Sequence, residues 1–121
     1  LKEGITLMPR DTASLRIAFF GSSLVSCYWN GAATYYRGIL RALAARGHSI
    51  TFYEPDAYGR QQNRDLKEDP DYARVVVYAG EGQDGVESAL QHARGADIVV
   101  KASGVGVFDE FLEAEVLRLQ G

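Results

Sequence analysis

The residues best suited to touch a ligand are gathered in one stretch, Gly21-Ser22-Ser23-Leu24-Val25-Ser26-Cys27-Tyr28-Trp29-Asn30-Gly31. Ser22, Ser23 and Asn30 can donate and accept hydrogen bonds. Tyr28 and Trp29 offer flat faces that stack on sugars or other apolar rings. Gly31 stands where a helix is expected to start, and free N–H groups at a helix start can hold an anion or a sugar hydroxyl. A second stretch, Lys101-Ala102-Ser103-Gly104-Val105-Gly106, supplies a cation, a hydroxyl and glycines that let backbone approach a ligand closely. Gly21, Ser22, Ser23, Tyr28, Trp29, Asn30, Gly31, Lys101, Ser103 and Gly104 form the expected ligand-binding set. Each stretch also has a plainer reading. The first can be a long surface loop whose aromatics pack on a neighbouring domain. Lys101 can lay its stem on a sheet with its head in water, and the two glycines can simply make a tight turn.

Several chemistries are excluded by what these loops lack. Gly-x-Gly-x-x-Gly needs glycines where Ser23 and Ser26 stand, and no Gly-Lys-Ser/Thr follows to make a phosphate-binding loop of the NTPase kind. Glu54 and Asp56 close an apolar run at the place where an acidic residue holds ribose in dinucleotide enzymes. Without the glycines they read as a solvated strand end. Cys27 is the single cysteine, so no internal disulfide forms and a reducing cytoplasm is the expected location. With no base nearby in sequence it reads as a buried or idle thiol. His48 and His92 lack companions at metal-ligand spacing, so no metal is expected. No residue stands out as a catalytic base.

The elements that must position these loops follow from the apolar pattern. Four runs, Leu15 to Gly21, Ser49 to Glu54, Arg74 to Tyr78 and Asp97 to Lys101, are too short for globular helices, and most are rich in β-branched or aromatic residues. Their near-continuous apolar character fits parallel strands buried on both faces. Between the first two, Tyr36, Ile39, Leu40 and Leu43 recur at helical spacing, with Asn30 as the expected cap and Gly47 as the expected stop. A second helix is expected from Asp84, with Asp84 and Glu87 as a capping box, Val86, Leu90 and Ala93 as its buried stripe, and Gly95 as its end. A third runs from about Phe108 to Leu119, with Phe108, Phe111, Leu112, Val116 and Leu119 on one face and Asp109 and Glu110 in the first turn. Pro55 to Tyr72 is largely polar and reads as a short exposed helix or a long loop.

This alternation is βαβ logic. It predicts a Rossmann-like, doubly wound parallel sheet of order 3-2-1-4 in a three-layer αβα fold. Ligands of such sheets sit beyond the carboxyl ends of the strands at the switch point, here where the loops after the first and fourth strands meet. The 121 residues suit one domain, and 46% apolar with 24% charged is ordinary globular composition. A net charge of -3 with scattered basic residues argues against a nucleic-acid partner. No apolar run approaches the roughly 20 residues of a membrane span. Residues 1–14 read as a flexible tail or vector-derived remnant, and 15–121 as the domain. A parallel sheet normally continues after a helix such as the last one, so this domain is expected to be the amino-terminal part of a longer two-domain protein.

The stretch from Ile17 to Gly21, the loop to Asn30-Gly31, the helix bearing Leu40 and Leu43, and Gly47-His48 before the second strand resemble the start of GT-B glycosyltransferases. The similarity is greatest to the spore-maturation-protein-like branch and covers about residues 15 to 120. It implies an acceptor-side domain that shapes a cleft for a small-molecule or glycan acceptor. It also implies a separate carboxy-terminal domain that binds the nucleotide-sugar donor, so that this domain holds no cofactor and does not catalyse transfer alone. Gly31 matches the glycine facing the cleft at the helix start; many members have a glycine pair there, where this chain has Asn30-Gly31. Two other readings remain: a stand-alone Rossmann-like binding or regulatory module, and a nucleotide-cofactor oxidoreductase domain.

Overall fold

The structure, a computed structural model, describes residues 14–120. The tail expected over residues 1–14 lies, but for Ser14, outside the described residues, as does Gly121. In chain order the elements are β1 (Arg16–Phe20), α1 (Ala33–Ala45), β2 (Ser49–Asp56), β3 (Arg74–Ala79), α2 (Gln83–His92), β4 (Ile98–Lys101) and α3 (Asp109–Gln120). Short 3-10 turns occupy Gln61–Asn63 and Ala93–Gly95.

All described strand pairs are parallel, and the sheet order is β3-β2-β1-β4. This is the doubly wound 3-2-1-4 arrangement that the alternation predicts. Strand β1 lies at the centre because its apolar residues are buried on both faces, Ile17 and Phe19 on one and Ala18 and Phe20 on the other. Helix α1 covers the first face, where Tyr36 and Leu40 meet Phe19, Ile50 and Phe52. Helices α2 and α3 cover the second, where Val86, Leu90, Leu112 and Val116 meet Phe20, Tyr53 and Val99. The outer strands are less buried than continuous apolar runs suggest: Val77 of β3 and Ile98 of β4 are exposed.

Three local expectations are corrected. Asn30 does not cap α1 with its side chain; the helix starts after Ala32, which offers no side-chain cap, and the Asn30 amide is spent inside the loop. Asp84 is not a cap either, because α2 starts one residue earlier, after Gly82, and Asp84 lies in its first turn. Phe108 is outside α3 at φ +54 and is exposed, so the buried stripe of α3 begins at Phe111 and Leu112. Gly47 does end α1. At φ +95 it lets its own N–H reach Ala44 O and the His48 N–H reach Leu43 O, the paired bonds of a Schellman stop.

Strand β2 runs through Pro55 to Asp56, past the expected end at Glu54. Proline is tolerated there because the side of β2 that faces β1 has lost its partner: the Gly21 N–H takes Tyr53 O, and the chain then turns away. The polar stretch after β2 is a long connection with one 3-10 turn, folded over the loop that follows β1.

Candidate functional site

The carboxyl ends of the four strands carry three interlocked loops. The first loop, 21–32, leaves β1 and is unusual in burying its polar groups. Ser22, Ser23, Ser26 and Asn30 are all buried. The Ser22 hydroxyl donates to Asn30 Oδ1 at 2.6 Å, and Asn30 Nδ2 donates to Ser23 O and Ser26 O, each at 2.8 Å. Gly21 lies under the rings of Phe52 and Tyr36, where a β-carbon would collide with Phe52. Four members of the expected ligand set, Gly21, Ser22, Ser23 and Asn30, are thus engaged in holding the loop's own shape.

Beneath the loop sits a carboxylate that sequence reasoning placed in solvent. Glu54 is fully buried. It accepts the Ser23 hydroxyl at 2.6 Å, the Leu24 N–H at 2.8 Å and the Gln61 amide at 2.6 Å. A buried carboxylate is tolerable only when its oxygens are filled in this way. Ser23 also receives the Ser26 N–H, so one carboxylate orders the whole turn.

The second loop, 57–73, is the latch. The Ser26 hydroxyl donates to Asn63 O, and the Leu66 N–H donates to Val25 O. Arg37 of α1 forms a bidentate pair with Asp65 while its Nε donates to Leu24 O. This pairing, with help from the Cys27 N–H, lowers the Asp65 carboxyl from 3.8 to about 2. Cys27 itself is exposed, so of the buried or idle thiol expected, the buried alternative falls away.

The third loop, 102–108, follows β4. Lys101 does not reach freely into the crevice or into water; its ammonium lies 2.9 Å from Asp109. Asp109 also accepts the Val105 and Gly106 N–H groups. Burial pushes its carboxyl up, but Lys101 and the two N–H groups outweigh that and leave it below its ordinary value. Ser103 and Gly104 are exposed on the turn.

The first and third loops stand side by side, since Phe20 pairs with Lys101 and the Ala102 N–H takes Phe20 O. Tyr58 and Arg60 of the second loop link them. The Tyr58 hydroxyl donates to Gly106 O at 2.7 Å, and Arg60 donates to Tyr28 O and Trp29 O at 3.2 and 2.7 Å. The guanidinium lies over the Tyr58 ring, 4.9 Å from its centre. Around this bridge the exposed aromatics collect: Trp29 is 78% exposed, Tyr58 57% and Tyr28 42%. Gly31 is exposed in the turn before α1.

Among the described residues, those other than glycine with a left-handed backbone are Trp29 at φ +47, Tyr58 at +58 and Phe108 at +54. All are exposed aromatics on these three loops. Such a conformation costs a bulky residue on the order of 1–2 kcal/mol and recurs at functional sites. An open concavity at this end lies two strand spacings over from the β1–β4 junction. It is a groove of about 630 Å³ between the ends of β2 and β3, lined by Asp56, Tyr58, Gln62, Gly80 and Glu81. Among the described residues no group of three or more histidine, cysteine or acidic side chains is placed to hold a metal. No helix there is long and apolar enough to cross a membrane.

Tyr58, Arg60 and Asp65 escaped sequence reasoning because they lie in a polar stretch without periodicity. Ala57-Tyr58-Gly59, an aromatic ahead of a glycine in an otherwise polar run, was the one signal available for Tyr58. Comparison with protein-family models, curated proteins and solved structures gives no match.

Proposed function

We propose that this domain is the acceptor-side, amino-terminal half of a nucleotide-sugar-dependent glycosyltransferase of GT-B type. On this reading it presents a small-molecule or glycan acceptor and does not catalyse transfer alone. The observation that carries the reading is the set of exposed aromatics, Trp29, Tyr28 and Tyr58, on loops at the carboxyl end of a doubly wound sheet. Sugars lay their C–H faces on such rings. Their hydroxyls are matched by carboxylates and amides, and Asp56, Glu81 and Gln62 stand beside Tyr58 in the groove. The nucleotide-sugar donor belongs to a second, carboxy-terminal domain, and a cytoplasmic location goes with that substrate.

An oxidoreductase reading is disfavoured by Glu54. A dinucleotide pyrophosphate at the first loop would compete with a buried carboxylate that already holds the Leu24 N–H.

The test uses the full-length protein with a panel of nucleotide sugars and candidate acceptors. Turnover of at least one donor is expected. Trp29→Ala should raise the acceptor KM by about tenfold, the scale of one lost stacking contact, while leaving the donor KM alone. Absence of transfer or hydrolysis across the whole panel overturns the reading.

A further inference from the structure

The basic side chains that brace the loops at the carboxyl end are unequally served. Arg37 faces Asp65 and Lys101 faces Asp109. Arg60 has no carboxylate within ion-pair reach among the described residues. It is nonetheless only 8% exposed. Its Nε and Nη2 are used on the Tyr28 and Trp29 carbonyls, but Nη1 is buried and bonded to nothing among the described residues.

A buried guanidinium with an unmet edge and no counter-charge is costly, and folded proteins rarely leave one. The buried carboxylate nearby in sequence, Glu54, does not serve it, because three neutral donors hold that group. Asp56 and Glu81 line the adjoining groove but stand exposed, where water and salt screen them.

We propose that Arg60 anchors an oxyanion site, in which a phosphate or carboxylate group of a ligand takes the free Nη1 edge once the Tyr58 ring swings aside. Tyr58 is suited to be that cover. It is held at its tip by one hydrogen bond to Gly106 O, its ring rests on the Arg60 guanidinium, the residue is more than half exposed, and its backbone is left-handed. Moving it breaks one hydrogen bond and one cation–π contact, which the incoming charge-assisted bond to Arg60 replaces. The inference gives a charge to the ligand of the proposed cleft. It rests on the glycosyltransferase reading only for its biological occupant; the anion chemistry stands on Arg60.

The test titrates the 121-residue chain with inorganic phosphate, pyrophosphate and acetate at constant ionic strength. The emission of Trp29 is followed, since it is the single tryptophan and Arg60 holds its carbonyl. A saturable change is expected, and the preferred anion tells a phosphate site from a carboxylate site. Arg60→Met should abolish it. Arg94→Gln, an arginine on the 3-10 turn at the opposite end of the sheet, should leave it intact. Tyr58→Ala should tighten binding by about tenfold by removing the closed state. A response that never saturates, that survives Arg60→Met, or that is indifferent to Tyr58→Ala overturns the proposal. If Arg60→Met fails to fold, Tyr58→Ala decides alone. Saturable anion binding without any sugar transfer keeps this site and removes the glycosyltransferase reading; transfer without anion binding does the reverse.

Discussion

At the scale of single residues, Glu54 and Asp65 show two ways of using a carboxylate. Glu54 is buried and served by neutral donors, so its removal strands them. Glu54→Ala leaves the Ser23 hydroxyl, the Leu24 N–H and the Gln61 amide without an acceptor. A loss of about 3 kcal/mol is expected from unmet buried donors, read by urea denaturation. Asp65 is partly exposed and works through charge. Its carboxyl is held near 2 by the Arg37 hydrogen bond, against an ordinary 3.8. A folded-state value below the unfolded one means the stabilisation is complete above about pH 4 and fades as pH falls toward 2. The urea midpoint should therefore drop across that window, and Asp65→Asn should flatten this part of the profile. An unchanged slope in the variant would assign the acid sensitivity elsewhere. Neither role is readable from residue type: Glu54 closes an apolar run and Asp65 sits in a polar one, and only the fold sends the first inward and sets the second against Arg37.

At the scale of elements, the sheet and its helices were legible because each repeats a period. Ile17 to Phe20 and Val75 to Val77 have no helical rhythm, while Tyr36, Leu40 and Leu43 have no other. What escaped were the helix starts, since Asn30 and Asp84 look like caps by chemistry but are claimed by other contacts or lie inside the helix. The connection 57–73 was legible only as a long loop or short helix, and its contacts escaped, because its order comes from bonds to the first loop and not from any pattern of its own. Close packing between elements also hides in small residues. A β-carbon on Gly85 of α2 would strike the backbone of Ala79 at the end of β3. Gly85→Ala must push α2 away from the sheet, and a loss of about 2 kcal/mol is expected despite the better helix propensity of alanine. Gly38 of α1 faces open space, so Gly38→Ala should instead gain a few tenths to about 1 kcal/mol. Thermal denaturation of the pair separates packing from propensity.

At the scale of the whole molecule, the sheet order places the loops after β1 and β4 together, as the crossover rule requires. The chemistry there is divided between layers. The inner layer, Ser22, Ser23, Asn30 and Glu54, is consumed in holding the loop, whereas the outer layer, Tyr28, Trp29, Tyr58 and Phe108, faces solvent. Sequence alone ranks Ser22, Ser23 and Asn30 with Tyr28 and Trp29 as candidates and passes over Glu54, Tyr58 and Phe108, because hydrogen-bonding residues look alike whether they serve a ligand or each other. The outer layer carries a consequence of its own. Trp29, Tyr58 and Phe108 hold backbone angles that glycine would adopt freely. Replacing all three by glycine should relieve a few tenths to about 1 kcal/mol at each position, offset in part at Tyr58 by its lost hydrogen bond and cation–π contact, and so make the protein more heat-tolerant but a poorer binder of the sugar acceptor. Scanning calorimetry showing a higher melting temperature in that triple variant would mark the rim as a place where durability has been traded for display; a lower one would mean the aromatics are part of what keeps the domain folded.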